Sequence, residues 1–113
     1  MIENYNFGNI IIDGKVYSSD IIIFGDKVQD DWWRKKGHEL GIADIEKAID
    51  EFNPTIIVIG SGKFGLMKLL PETESFLQSR QIRFIVQKTG QACETYNSLL
   101  GSERALGAFH LTC

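Results

Sequence analysis

The chain has no surplus of positive charge. Twelve Lys and Arg stand against fifteen Asp and Glu among 113 residues, a net charge of -3 at pH 7. That balance withholds the general attraction for phosphate on which nucleic-acid and anionic-membrane binding depend, so neither nucleic acid nor membrane is an expected partner. No apolar run approaches the ~20 residues that a membrane-spanning helix needs. Met1-Ile2-Glu3-Asn4 lacks the basic start of a signal or transit peptide, and a cytoplasmic location is the expectation. Two cysteines, Cys93 and Cys113, are too few for a disulfide framework and too widely spaced for a metal knuckle. Free thiols are expected, with no metal and no cofactor. With only two prolines and no repeat or low-complexity tract, disorder is not expected. The length suits one domain, residues 1–113, around a single core.

What the chain does have is a β-branched run, Thr55-Ile56-Ile57-Val58-Ile59, that ends abruptly in Gly60-Ser61-Gly62-Lys63-Phe64-Gly65. Residues apolar on both faces describe a strand buried from both sides, the centre of a parallel or mixed sheet. Before it, Ile42, Ile45, Ile49 and Phe52 recur at helical spacing between charged residues, an amphipathic helix that Asn53-Pro54 terminates. After it, Pro71-Glu72-Thr73-Glu74 opens a second helix to about Arg80, and Gln81 to Gln87 reads as a strand. Ala92, Cys93, Tyr96, Leu99 and Leu100 mark a third helix, with Thr89 as its N-cap and Gly101 as its stop. Ala105 to Leu111 is the last strand. The order from Ile42 onward is αβαβαβ, a layered α/β domain with at least three neighbouring strands.

The first third reads as antiparallel β structure in four short strands. Asp13-Gly14 suits a two-residue type I′ turn between Asn9-Ile10-Ile11-Ile12 and Lys15-Val16-Tyr17. Ser18-Ser19-Asp20 breaks the chain, and Gly25-Asp26 turns Ile21 to Phe24 into a strand running from Lys27 to Trp33. The cluster Trp32-Trp33-Arg34-Lys35-Lys36-Gly37-His38 admits two readings. Aromatics interleaved with cations suit base stacking and phosphate pairing. The favoured reading is a strand end with one Trp in the core and solvated cations, since Asp30 and Asp31 sit beside them. His38 has no second ligand at a metal-binding spacing and reads as a loop residue or structural donor.

Gly60-Ser61-Gly62-Lys63-Phe64-Gly65 matches GxGxxG after a strand, yet its context departs from a dinucleotide site. Pro71 interrupts the segment that a continuous helix would occupy, and the following strand ends in Gln87-Lys88 rather than an acidic residue. A phosphate loop of the Walker type fails on spacing. Two readings of the loop remain: a nest of backbone N–H groups for a small anion, or a sharp turn packed over a neighbouring strand. The candidate ligand residues are Gly60, Ser61, Gly62, Lys63, Thr89 and Arg104; Arg104 either clamps a carboxylate, or pairs with Glu103 or joins a buried structural hydrogen-bond network. Cys93 lies in the first turn of a helix but within its apolar stripe, so an inert buried thiol is expected. No spacing suggests a Cys–His, Ser–His or paired-carboxylate catalytic set.

In this order, Thr55-Ile56-Ile57-Val58-Ile59-Gly60-Ser61-Gly62, then Thr89, Ala92, Tyr96-Asn97 and Leu99, then Glu103-Arg104 and a small-residue strand, the chain resembles the Mth-type domain family. That family contains small archaeal and bacterial proteins of unknown function, the adipogenesis-associated Mth-domain protein and a mitochondrial complex I assembly factor. The resemblance implies a single three-layer α/β domain, a central mixed sheet with helices on one side and an N-terminal β-hairpin layer on the other. It places the glycine turn on Gly60 and Gly62 and the helix motif on Thr89, Ala92, Tyr96 and Asn97; Ser61 stands where relatives usually carry Thr. It supplies no reaction. The expectation is therefore an uncharacterised binding or assembly module acting through a protein partner or self-association. The alternative is a small-molecule or anion-binding protein, or an enzyme, using the Gly60-Ser61-Gly62-Lys63 loop.

Overall fold

The computed structural model, describing residues 1–113, begins with an antiparallel sheet of β1 (Ile2–Asn6), β2 (Asn9–Ile12) and β3 (Lys15–Tyr17). Asp13 and Gly14 take φ of 48° and 81°, the left-handed pair of a type I′ turn, and set Ile12 opposite Lys15. β1 is a strand that the sequence pattern does not announce. Glu3, Asn4 and Asn6 are poor strand formers, and the register shifts between Ile2 and Asn4. The strand is held from outside: Ile2 N–H donates to Asn97 Oδ1 at 2.9 Å and Asn97 Nδ2 donates to Ile2 O at 2.7 Å.

β4 (Ile21–Phe24) and β5 (Lys27–Gln29) form the second hairpin, turned at Gly25 with φ of 60°. The expected strand through Asp30 to Trp33 stops at Gln29, because Asp31 adopts φ of 51° and breaks the extended run. Then come β6 (Glu39–Leu40), α1 (Ile42–Phe52), β7 (Ile56–Ser61), β8 (Lys68–Leu69), α2 (Pro71–Ser79), β9 (Arg83–Gln87), α3 (Thr89–Leu99) and β10 (Ala105–His110). β6 and β8 make a two-residue parallel pairing that no periodicity foretells.

The helix ends follow local chemistry. At the start of α1, the Asp44 carboxylate accepts the Gly41 N–H at 2.8 Å, and its far end closes on Asn53 in the left-handed region at φ 53°, followed by Pro54. α2 opens on Pro71, whose missing N–H is harmless there. α3 departs from expectation at one point: its N-cap is Lys88, and Thr89 lies inside the first turn with its hydroxyl committed elsewhere.

The central sheet has the order β5-β4-β10-β7-β9, with β10, β7 and β9 parallel to one another, β4 antiparallel to β10 and β5 antiparallel to β4, a mixed sheet as expected. All six residues of β7 are buried. Fully burying an aliphatic side chain of this kind contributes about 1.5–3 kcal/mol, so Ile56 to Ile59 anchor the fold. The sheet divides the core in two, where a single core is the simpler expectation. Ile22, Ile57, Ile59, Leu106 and Ala108 meet Ile45, Ile49 and Leu77 of α1 and α2 on one face. Ile21, Ile23, Ile56, Val58 and Phe109 meet Ile2, Ile10 and Ile12 of the N-terminal sheet on the other.

The three layers are thus α1 with α2, the mixed sheet, and the N-terminal sheet. α3 shares the third layer, where Ala92, Cys93 and Tyr96 pack. Its side follows from winding direction. The chain goes outward from β7 to β9 through α2, then back across β7 to β10 through α3. Right-handed crossovers run in opposite directions place their helices on opposite faces.

Candidate functional site

That reversal occurs between β7 and β10, and the carboxyl ends of such a pair of strands are where ligands bind in open α/β sheets. Gly60, Ser61, Gly62, Lys63 and Thr89 gather at this edge, with His110 and Thr112. A Cβ on Gly60 would lie 2.7 Å from Phe109 Cδ1 and 2.9 Å from Thr89 Oγ1. Gly62, at φ of 102°, would place a Cβ 2.5 Å from the Cys113 carbonyl carbon and 2.8 Å from His110 Cδ2. Both glycines are where neighbouring chain comes too close for a side chain.

The loop's N–H groups are engaged by protein oxygens. Gly62 N donates to Thr89 Oγ1 at 2.8 Å and Lys63 N to Thr112 O at 2.7 Å. The Thr89 hydroxyl donates to His110 O at 2.6 Å, and Thr89 N donates to Gly62 O at 3.1 Å. Ser61 Oγ donates to Gln87 O at 3.0 Å. The side chain of Lys63 is exposed, and the stem of Lys88 runs past Gly65.

Arg104 is not part of this group. It precedes β10, and the six residues of that strand separate it from His110 by roughly 20 Å at about 3.3 Å per residue. Its guanidinium donates to Phe52 O and, at 3.3 Å, to Asn53 O, and lies 4.1 Å over the Phe52 ring. Nor does it pair with Glu103, which holds Arg83 and the Thr55 hydroxyl. Hydrogen bonds from Arg83 first, and then from Thr55, draw the Glu103 carboxyl below the usual carboxylate range.

A second set of residues converges where the sequence offers no spacing to signal it. Arg34 Nη2 donates to Asp20 Oδ2 at 2.7 Å, and the same oxygen is 2.7 Å from His110 Nδ1. Leu111 N donates to Asp20 Oδ1 at 2.7 Å, and Arg34 Nε to Gly37 O at 3.0 Å. The side chains of Arg34, His110 and Asp20 are 4%, 7% and 15% exposed. The expected solvation of the cations after Trp33 therefore fails at Arg34, which is drawn under the surface by Asp20 and laid 4.6 Å over the Trp32 ring.

Burial alone would raise the Asp20 carboxyl; hydrogen bonds from His110, Leu111 N and Arg34 outweigh it and hold the group below its ordinary value. An ionised Asp20 at 2.7 Å assigns a proton to His110 Nδ1, so the 3.0 Å approach of Arg34 Nη2 to that nitrogen is a contact and not a donated bond. Ser18, Ser19, Trp33, Gly37 and Thr112 line a cleft of about 410 Å³ with these three residues. His38 sits in a loop and sets its ring edge-on to His110, 5.6 Å between centroids. No group of three or more His, Cys, Asp or Glu is placed to hold a metal ion, and no helix is long and apolar enough to cross a membrane.

The remaining expectations concern single side chains. Trp32 is the core tryptophan, 3% exposed, with its indole N–H donating to Asp44 O at 2.9 Å; Trp33 is 81% exposed. Both cysteines are free, and burial, with Glu94 adding, pushes the Cys93 thiol up to about 12.

Residues 2–111 match the family profile described as "Protein of unknown function (DUF498/DUF598)". Among solved structures, the conserved hypothetical protein PH1505 from Pyrococcus horikoshii OT3 superposes with a TM-score of 0.86 at 27% identity, covering 100% of this chain and 99% of its own. MT938 superposes with a TM-score of 0.79 at 25% identity, covering 100% and 98%. A Bordetella pertussis protein described as a Mth938-like domain shares the fold with a TM-score of 0.79 at 17% identity, covering 97% and 84%. The match along almost the whole sequence and the superposition on these folds lead to one assignment: the chain belongs to the DUF498/DUF598 family, the Mth-type domain proteins, whose function is unknown.

Proposed function

We propose that this protein is a non-catalytic binding module that engages a protein partner through the surface around Trp33. The observation that carries this reading is the exposure of one large aromatic on a rigid mount. Trp33 is 81% exposed and stands between two clefts, the one of about 410 Å³ beside His110 and another of about 300 Å³ lined by Trp32, Ala43 and Lys47. Its backbone is held on the N-terminal side: Asp31 N donates to Ser19 Oγ at 2.8 Å and Trp32 N to Asp20 O at 2.9 Å. A preorganised indole between polar-rimmed depressions has the composition and shape of a protein-binding hot spot, where a few residues, tryptophan prominent among them, contribute most of the affinity. The assembly role of one branch of the resembling family points the same way. The alternative, an anion held by the Gly60-Ser61-Gly62-Lys63 loop, draws less support, since Gly62 and Lys63 already give their N–H groups to Thr89 and Thr112.

Affinity capture with the wild-type protein and Trp33→Ala in parallel, alongside sedimentation velocity over a concentration series, tests the reading. A partner, or a self-associated species, present with the wild type and lost with the variant is the expected result. Identical captures and identical sedimentation for both proteins would overturn it.

A further inference from the structure

We infer that β9, an outer strand of the central sheet, pairs edge to edge with β9 of a second copy of this chain and joins two sheets into one. The surface is separate from that of Trp33, which follows β5 at the opposite edge of the sheet, and the inference does not depend on it. Two observations carry it. The first is that β9 pairs only with β7. Arg83 N donates to Thr55 O at 3.2 Å, which sets the phase of the strand. Arg83, Ile85 and Gln87 turn their backbone groups toward β7, and Phe84 and Val86 turn theirs outward, where no strand receives them. The second is the exposure of that side: Val86 is 42% exposed, and Phe84 and Ile85 are half-buried.

Free strand edges are ordinarily blunted by shortness, by charge or by a bulge, since an unpaired row of N–H and C=O groups invites another chain. The other edges of this protein carry such devices. β5 is three residues long and begins with Lys27; β3 is three residues long and begins with Lys15. β1 shifts register between Ile2 and Asn4 and is bonded to Asn97 of α3. β9 has none of these. It runs five residues in unbroken register with β7, and Phe84-Ile85-Val86 at its centre is an uncharged run of strong strand formers.

The occupant that fits this edge is the same strand reversed. In an antiparallel pairing about a twofold axis at Ile85, Phe84 of one copy meets Val86 of the other, and each such pair exchanges both of its N–H···O bonds. Ile85 then faces its own counterpart at the narrow spacing, where side chains come closest. Arg83 falls opposite Gln87, so no like charges oppose one another. Phe84 packs on the core beneath α1 and α2, and Ile85 on the core beneath α3, so the contact continues both apolar layers across the axis. A twofold pairing of this kind closes on itself. It consumes β9 in both copies and leaves only the short, charged β5 edges outside, so assembly stops at the dimer.

The test combines sedimentation velocity with amide hydrogen exchange by NMR on the unmodified protein, in a dilution series reaching about 1 mM so that even weak pairing is populated. At the lowest concentration the Ile85 and Gln87 amides should be protected and those of Phe84 and Val86 should exchange freely. As the dimer forms, exchange at Phe84 and Val86 should slow in proportion to the monomer lost. Val86→Pro removes an outward N–H that β7 does not use and should abolish the dimer. Gln87→Arg sets like charges opposite Arg83 and should weaken pairing by about threefold or more, whereas Gln87→Glu, which keeps an acceptor for the Thr95 hydroxyl, should tighten it by a similar factor. Trp33→Ala should leave the dimer unchanged. A protein that stays monomeric at every concentration, a dimer in which Phe84 and Val86 still exchange freely, or a dimer lost with Trp33→Ala overturns the inference. The wild-type exchange decides it even where Val86→Pro fails to fold.

Discussion

Thr89 and Gly62 bond to each other in both directions: Gly62 N–H donates to Thr89 Oγ1 at 2.8 Å, and Thr89 N–H donates to Gly62 O at 3.1 Å. The same hydroxyl donates to His110 O at 2.6 Å, so one buried threonine ties the end of β7, the start of α3 and the end of β10 together. A hydroxyl, being donor and acceptor at once, is the smallest group that can do this.

Thr89→Val keeps the shape and removes both bonds, leaving the Gly62 N–H and the His110 carbonyl buried without partners. Leaving such groups unmade costs about 1–3 kcal/mol each, so the urea midpoint should fall well below that of wild type, and Thr89→Ser should recover most of the loss. Equal midpoints for Val and Ser would show that the hydroxyl is not needed.

Gly60 is a glycine whose replacement tests close packing without backbone strain. A Cβ there would sit 2.7 Å from a Phe109 ring atom and 2.9 Å from Thr89 Oγ1. Overpacking of this kind typically costs about 1–3 kcal/mol. Gly60→Ala should lower the melting temperature measurably, whereas Gly37→Ala, where a Cβ meets nothing within 4 Å, should not.

Tyr96 is 1% exposed, and its hydroxyl has no hydrogen-bond partner; burial, with Asp13 adding, pushes the phenol up to about 12. Its ring packs edge-on to Phe109, 5.9 Å between centroids. Tyr96→Phe keeps the ring and removes an unsatisfied group, so stability should rise by roughly 1 kcal/mol. A loss of stability on chemical denaturation would mean that the hydroxyl has a partner after all.

Asp20 is held below its ordinary value of 3.8, its burial outweighed by bonds from His110, Leu111 N and Arg34. With the folded value depressed, the unfolded chain takes up the proton first as pH falls. The stabilisation is therefore complete above pH 3.8 and is lost on acidification below it, toward the folded value. Urea unfolding of the wild type and Asp20→Asn across that range should show a component of acid sensitivity present only in the wild type.

Cys93 is buried and its thiol raised to about 12, whereas Cys113 is half-exposed. A thiolate-directed reagent should modify one thiol in the native protein and two after denaturation. Rapid native modification of Cys93, located by mass spectrometry, would show that α3 opens.

Legibility in the sequence follows the range of the interaction. The spacing of Ile42, Ile45, Ile49 and Phe52 locates α1, and Asp13-Gly14 locates the first turn, because both depend on neighbours within a few residues. β1 escapes the pattern because Ile2 is held by Asn97, far along the chain. Arg34 reads as solvated because nothing near it in sequence says that Asp20 and His110 will meet it. Arg104 groups with Thr89 and Lys63 by pattern alone, and the direction of β10 carries it to the other end of the sheet.

By itself, then, the sequence determined the alternation of helices and strands, the buried strand over Thr55 to Ile59 and the sharp glycine turn after it. Periodicity, β-branching and glycine act through local geometry, which a linear pattern records. Only the tertiary structure decided that α3 lies beside the N-terminal sheet, that the glycines close over Thr89 and Cys113, and that Asp20, Arg34 and His110 share one cleft. Those outcomes depend on strand order and crossover hand, which bring together residues separated by as many as 95 positions, and no local spacing carries that information.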